Sequence, residues 1–136
     1  MWTCPRCKRE FLKTNQSHSC VIYPLDKHFE GKQDIAKPLF EELVKRIEKN
    51  IGKIKIESLP CCIHLVSDYT FGAVWALKDR IRIDFRVDHK LERSDIQKEV
   101  KMSENRYLYF FDVKDKKEID EELLSLLRQS YYLHSR

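Results

Sequence analysis

The sequence predicts an α+β domain preceded by a small zinc finger. Two segments repeat apolar residues every three or four positions, which is the helical period, and several shorter segments alternate apolar with polar residues, as strands do. Before them, the first twenty residues contain three cysteines and one histidine at metal-binding spacing. A chain of 136 residues is long enough for one such domain, so we assign residues 1–24 to the finger and residues 25–136 to the domain.

The finger is predicted from two pairs of soft ligands, Cys4 with Cys7 and His18 with Cys20. Zinc takes four tetrahedral ligands from thiolates and imidazoles, so two such pairs can hold one ion. Pro5 fixes φ in the turn of the first pair. Because four protein ligands leave no open coordination position, the motif predicts one structural Zn²⁺ per chain and not a catalytic metal.

The spacing of the second ligand pair departs from that of the common finger. One residue separates His18 from Cys20, whereas three to five residues are usual when the second pair lies on a helix. This spacing argues against a helix that reads a DNA groove. The alternative interpretation is a redox Cys-x-x-Cys pair with an incidental His18 and Cys20, although no thioredoxin-like pattern surrounds it. Trp2 and Phe11 are expected to give the finger its apolar cover.

The domain is expected to begin with a short helical turn at 25–29, which Gly31 ends, followed by a longer helix over about 34–50. Asp34 is placed to cap the longer helix, and Gly52 suits a left-handed exit from it. The apolar stripe of this helix consists of Ile35, Leu39, Phe40, Leu43, Val44 and Ile47.

After this helix the period changes to two, which predicts an antiparallel sheet. The segment 81–88 alternates most regularly, while 96–102 is ambiguous between strand and helix and is assigned as a strand. Asp79 and Arg80 are expected to form a hairpin turn. The other expected strands are 53–57, 61–66, 69–78 and 107–113.

A second helix is predicted at the C-terminal end, where Asp115 and Glu118 have capping-box spacing. Two amphipathic helices on one face of the antiparallel sheet would bury both apolar stripes, which gives the α+β fold class. The second stripe consists of Ile119, Leu123, Leu126, Leu127 and Tyr131.

Charge suggests the class of partner. The net charge is +4, and most of the excess lies in residues 1–24, where Glu10 is the only acid. We therefore expect nucleic acid as the preferred partner and protein as the next, although lysines and arginines also keep a small module soluble. The candidate nucleic-acid-binding residues are Arg6, Lys8, Arg9 and Lys13 of the finger and Arg82 and Arg86 of the sheet.

A basic sheet face with aromatic residues beside it would suit single-stranded nucleic acid, because bases stack on aromatic rings and cations follow the phosphates. The alternative is ordinary cross-strand pairing, in which Arg82 and Arg86 bind Asp84, Asp88 or Glu57. The basic residues of this predicted face are Lys53, Lys55, Lys78, Arg80, Arg82 and Arg86, and its aromatic residues are the exposed members of Tyr69, Trp75, Tyr107 and Tyr109.

Cys62 and His64 lie two residues apart on a predicted strand, so they are expected to share a face, with Cys61 on the other. A thiolate beside an imidazole can bind metal or act as a nucleophile, but a small buried cysteine is more common in a sheet. The chain lacks a glycine-rich phosphate loop and a nucleophile elbow, so no catalytic residue is assigned. The alternative function is an enzyme or ligand-binding domain whose pocket, between sheet and helices, is lined by His64, Arg82 or Trp75.

Composition indicates a cytoplasmic location. No stretch has the apolar length of a signal peptide or a membrane helix, so no membrane partner is expected. Five cysteines is an odd number, which disfavours a fully paired disulfide framework.

Several segments carry a resemblance that covers nearly the whole chain. They are Trp2-Thr3-Cys4-Pro5-Arg6-Cys7, Phe11, Asn15-Gln16-Ser17-His18-Ser19-Cys20, His28-Phe29-Glu30-Gly31-Lys32, Pro38-Leu39-Phe40, Asn105-Arg106-Tyr107 and Leu123-Leu124-Ser125-Leu126-Leu127-Arg128. Together they resemble a bacterial family of small proteins with the uncharacterised domain numbered 5655 among domains of unknown function. The resemblance implies a zinc finger joined to an α+β domain, and it implies no catalytic residues.

Overall fold

The structure is a computed structural model that describes residues 2–6, 8, 10–15, 23–32 and 34–133. A hairpin of β1 (Trp2–Thr3) and β2 (Glu10–Phe11) comes first, followed by a 3-10 helix (Leu25–Phe29) and α1 (Ala36–Asn50). Six strands follow: β3 (Lys55–Ser58), β4 (Ile63–Val66), β5 (Thr70–Ala76), β6 (Ile81–Val87), β7 (Ile96–Ser103) and β8 (Arg106–Val113). A second 3-10 helix (Lys116–Glu118) leads into α2 (Glu121–Leu133).

The six strands form one antiparallel sheet in the order β3-β4-β5-β6-β8-β7. Strand β8 therefore lies between β6 and β7, and β7 is an edge strand although it precedes β8 in the chain. Both helices pack against the central strands β5 and β6. The predicted fold class, an antiparallel sheet with two amphipathic helices on one face, is confirmed, and so is the strand assignment of 96–102.

The sheet has two chemically different faces, because successive residues of a strand point to opposite sides. On the covered face, which packs against the helices, Ile63, Val74, Ile83 and Phe111 form one row across β4, β5, β6 and β8. All four are buried in the hydrophobic core together with most of the apolar stripes of both helices, whereas Ile35 of the predicted first stripe is 38% exposed. We call the opposite side the helix-free face. Its central row is Glu57, His64, Ala73, Asp84 and Phe110.

One buried polar residue joins α2 to the sheet. Ser130 Oγ donates to the carbonyl of Phe71 at 2.6 Å and accepts from the amide of Arg86 at 3.2 Å. Ser130 has no exposed surface, so water cannot replace these bonds. At the end of α1, Arg128 donates to the Asn50 carbonyl at 2.7 Å, so the two helices are also joined to each other.

The start and end of α1 differ from the sequence-based expectation. The helix is preceded by Ile35, and no side chain caps it, so Asp34 is not the cap. Gly52 does not have the expected left-handed φ, which among the described glycines is found only at Gly31. Gly52 instead provides space, because a Cβ there would lie 2.7 Å from Tyr131 Oη.

The second helix also begins later than expected. Asp115 and Glu118 do form a capping box, but it caps the short 3-10 helix that they flank. The start of α2 is capped by Asp120, whose Oδ1 accepts from the amide of Leu123 at 2.9 Å. The error arises because two capping acids lie five residues apart and the sequence alone does not show which one precedes the regular helix.

Candidate functional site

The predicted zinc finger is described in part. Cys7, His18 and Cys20 lie outside the described residues, as does Arg9, so the four-ligand set stays a prediction. Cys4 is buried, with 3% of its surface exposed. Its carbonyl accepts from the amide of Lys8 at 2.8 Å, which closes the turn that the motif predicts.

The hairpin around that turn has the expected apolar cover. Trp2 and Phe11 are paired in register, and their ring centroids are 6.0 Å apart. Glu10, beside Phe11, forms an ion pair with Lys55, which links the hairpin to the first strand of the large sheet. Arg6 and Lys8 are exposed in the turn.

A second group of soft ligands lies where β3 turns into β4. The amide of Leu59 donates to the carbonyl of Cys62 at 3.0 Å, which closes a tight turn with Pro60 and Cys61 at its centre. Proline is favoured at the first central position because its φ is already fixed. Cys61 therefore lies in a turn and not in a strand, and the alternation of faces does not apply to it.

This turn brings Cys61 to the same side as Cys62 and His64, which corrects the expectation that Cys61 points to the opposite face. The two sulfur atoms are 3.3 Å apart. The ligand atoms of the three residues all lie within 4.8 Å of one another. Cys61 is exposed, Cys62 is 3% exposed and His64 is half-buried. This group can hold a metal ion.

A partly buried carboxylate lies near this group on the helix-free face. Asp84 is two strands away from His64, and the small side chain of Ala73 lies between them in register. Trp75 Nε1 donates to Asp84 Oδ2 at 2.7 Å. Burial raises the pKa of Asp84, while the bond from Trp75 and the charges of His64 and Arg86 act in the opposite direction.

The less favoured interpretation of Cys62, a thiolate activated as a nucleophile, is not supported. Burial and, to a smaller extent, the hydrogen bond with Cys61 raise the pKa of Cys62 to about 12. A thiol with such a pKa stays protonated near neutral pH when no metal is bound, so it is a poor nucleophile.

An arginine pair on the same face has a carboxylate partner that local spacing did not suggest. Arg82 Nε donates to Asp112 Oδ1 at 2.6 Å, and Arg82 Nη2 to Oδ2 at 3.1 Å. Arg80 Nη1 also binds Oδ2, at 3.2 Å. These bonds, led by the one from Arg82, lower the pKa of Asp112. Cross-strand pairing was the expected alternative. The partner of Arg82 is Asp112 and not Asp84, Asp88 or Glu57, whereas Arg86 interacts electrostatically with Asp84, one of the expected partners.

Comparison with known proteins identifies the family through the domain. Residues 25–134 match the family described as Domain of unknown function (DUF5655). The chain belongs to this family. The match begins after the finger, so it does not extend to the Cys4 region. No curated protein matches the chain. No solved structure matches it either.

The DUF5655 domain does not offer all the aromatic residues of the predicted nucleic-acid face. Tyr109 is fully buried, and its hydroxyl accepts from the amide of Leu91 at 2.7 Å and donates to Glu99 at 3.2 Å. Tyr107 is in register with Val87 and shares its covered face. Of the aromatic residues considered, Trp75 lies on the helix-free face, where Arg82 and Arg86 also lie.

The expected pocket between sheet and helices is not formed by the residues that were predicted to line it. His64, Arg82 and Trp75 lie on the helix-free face, so the helical layer is on the other side of the sheet from them. A cavity of about 540 Å³ lies elsewhere in the DUF5655 domain, beside Lys53 and Tyr131.

None of the described helices has the length and apolar character that crossing a membrane requires.

Proposed function

We propose that the protein is a cytoplasmic, non-enzymatic binding module, stabilised by a structural zinc ion in its finger, with nucleic acid as the preferred partner. The proposal rests on the exposure of the basic side chains of the finger. Arg6, Lys8 and Lys13 are exposed and form no ion pair with another described residue, while Glu10, the only acid of the finger, is bound by Lys55. The hairpin therefore presents positive charge that is not neutralised locally.

The sheet contributes less to this charge than its sequence suggests. Arg80 and Arg82 share the carboxylate of Asp112, so their charge is partly balanced. Arg86 and Lys98 remain on the helix-free face, and Lys98 Nζ lies 5.7 Å from the ring centroid of Phe110. We therefore place the main electrostatic contact on the finger, with the helix-free face as a secondary contact for bases or for a protein partner.

A salt titration tests the nucleic-acid proposal. Labelled single- and double-stranded DNA and RNA are titrated with the full chain at two salt concentrations. Substituting alanine for Arg6, Lys8 and Lys13 together should reduce the slope of log K against log salt for single strands by about 2, because each phosphate contact contributes roughly 0.7. Alanine at three exposed lysines of the helical side, Lys45, Lys49 and Lys117, provides the control and should leave the slope unchanged.

Two results would contradict the proposal. If no nucleic acid binds at low salt, a protein partner or the small-molecule alternative becomes the better explanation of the exposed cations. If both triple variants reduce the slope equally, binding follows net charge alone and the finger has no special role.

The zinc part of the proposal has its own test. The chain purified without added metal should retain one zinc ion per molecule in native mass spectrometry, and Cys4→Ser or Cys20→Ser should remove it. The DUF5655 domain should stay folded in both variants, because its core of two helices and six strands does not include the finger. Retention of the zinc in both variants would place the ion elsewhere.

A further inference from the structure

We propose that Cys61, Cys62 and His64 form a second metal site, which binds one zinc ion exchangeably at the edge of the helix-free face. The site is separate from the finger in sequence, and it rests on different residues from those of the proposed function. It lies within the DUF5655 domain, where the two sulfur atoms and the imidazole already lie together.

The distances are close to those of a zinc site. With Zn–S bonds of about 2.3 Å and a tetrahedral angle, two sulfur ligands of one ion lie about 3.8 Å apart. The sulfur atoms of Cys61 and Cys62 are 3.3 Å apart, and no pair of ligand atoms in the group exceeds 4.8 Å. Side-chain rotations that move the ligand atoms by about 1 Å would therefore bring them to the distances of a zinc site without a change of backbone.

The backbone around the ligands is fixed on both sides. The turn is closed by the bond between Leu59 and Cys62, and Ser58 is in register with Ile63 immediately after the turn. His64 follows on β4, which is paired with strands on both of its edges. Ligands that are held in place in the absence of the ion lose little conformational freedom when it binds.

The ligand chemistry selects the metal. Thiolates and imidazole are ligands for zinc and for cuprous copper, whereas magnesium and calcium prefer oxygen. Three protein ligands leave a fourth position for water, unlike the closed four-ligand set predicted for the finger. Because Cys61 is exposed, the ion can enter and leave without unfolding of the domain. This predicts weaker and more exchangeable binding than in the finger.

The surroundings favour a cation. The carboxylate of Asp84 interacts electrostatically with both Cys62 and His64 across the small side chain of Ala73. Glu57 lies beside His64 in register on β3. Trp75, on the strand between His64 and Asp84, orients Asp84 through a hydrogen bond of 2.7 Å. Asp84 is therefore a positioning residue that would support the bound ion without direct ligation.

Zinc titration of the full reduced chain tests the site. After removal of loosely bound metal, Zn²⁺ is added in competition with a chromophoric chelator, and native mass spectrometry counts the ions per chain. The wild-type chain should take up one exchangeable zinc beyond any that it retains through purification. Cys61→Ser and His64→Gln should each weaken this uptake by at least 100-fold, and Asp84→Asn should weaken it by about 10-fold.

Matched variants separate this site from the finger. His89→Gln changes an exposed histidine that binds Asp88, and it should leave the exchangeable zinc unchanged. Cys4→Ser should remove the retained zinc and leave the exchangeable one, so failure of the finger proposal and failure of this one give different patterns. Cys61 is exposed, so Cys61→Ser should fold even if substitution of the buried Cys62 does not.

Three outcomes would overturn the proposal. The first is that the wild-type chain takes up no exchangeable zinc, and the second is that it binds such zinc equally well after Cys61→Ser. The third is a disulfide bond between Cys61 and Cys62 that persists under reducing conditions while no exchangeable zinc is bound. Mass spectrometry would show this bond as a mass lower by two hydrogens. Cobalt(II) provides a further readout, because a thiolate-to-cobalt absorption band should grow with the exchangeable equivalent and shrink in Cys61→Ser.

Discussion

The two faces of the sheet differ in burial and polarity although they are built from the same strands. On the covered face, Ile83 and its neighbours are buried in one hydrophobic cluster with apolar residues of both helices. On the helix-free face, His64, Asp84 and Arg82 are polar, half-buried and in contact with one another or with other charged groups. The first pattern determines the fold, and the second leaves charged and metal-binding groups in positions where they contribute little to it.

The largest expected effect comes from the covered face. Ile83→Ala removes a fully buried side chain at the centre of the sheet and should lower the free energy of unfolding by about 2–5 kcal/mol. Arg86→Ala, three residues further along the same strand on the helix-free face, should cost less than about 1 kcal/mol. Urea denaturation of both variants at neutral pH measures the difference. Equal losses would show that the two faces contribute alike to stability.

A smaller effect is expected where α2 is joined to the sheet. Ser130→Ala leaves the carbonyl of Phe71 buried without this donor and should cost about 1–3 kcal/mol. Ser125→Ala is the matched control, because Ser125 is an exposed residue of the same helix and alanine favours helices. Thermal unfolding should therefore rank Ser130→Ala below the wild type and Ser125→Ala at or above it. The opposite order would mean that the bonds of Ser130 are replaced by water.

The covered face was largely predictable from the sequence. Alternation along 81–88 and the helical stripes each mark which residues face the core, and the structure buries most of those residues, although Ile35 of the first stripe is 38% exposed. The same rule left open whether Tyr107 and Tyr109 are exposed, because Leu108 and Phe110 beside them are also apolar and the segment therefore has no polar face to identify. Hydrophobic periodicity determines orientation only where the two faces differ in polarity.

The helix-free face was much less predictable, since its contacts depend on strand order. Arg82 meets Asp112 because β8 lies next to β6, a pairing that skips β7 in the chain. Cys61 joins Cys62 because Pro60 and Cys61 occupy a two-residue turn. The spacing of residues along a single strand predicts neither of these two contacts. A proline directly before two cysteines is the available signal for the turn.

The charged cluster at Asp112 should make stability depend on acid pH. Its pKa is lowered, chiefly by the bond from Arg82, so the bound carboxylate stabilises the fold at neutral pH and this contribution is lost as the pH falls from about 4 through the lowered pKa. Asp112→Asn should cost about 1 kcal/mol or less at neutral pH, because the side chain of Arg82 is 38% exposed and solvent screens its charge. It should also make the loss of stability below pH 4 less steep. Asp95→Asn, at an exposed ion pair with Arg93, is the control and should change neither.

The smallest effect has the opposite sign and comes from Asp84. Burial raises the pKa of its carboxyl group, so the folded state binds the proton more readily than the unfolded state does. The fold therefore loses stability as the pH rises from about 4 through the raised pKa, and the loss persists at neutral pH. His64, Arg86 and Cys62 are the ionisable groups that interact with this carboxylate. Asp84→Asn should slightly raise the melting temperature of the chain, without exchangeable metal, at pH 7.

This result would sharpen the contrast between the two faces. Trp75 Nε1 can still donate to the amide oxygen of an asparagine, so the substitution removes the charge and keeps the hydrogen bond. A gain in stability together with weaker zinc uptake would mean that the carboxylate favours metal binding at the expense of the fold. A loss of stability at pH 7 would assign Asp84 to the fold, and the helix-free face would then follow the same rule as the covered one.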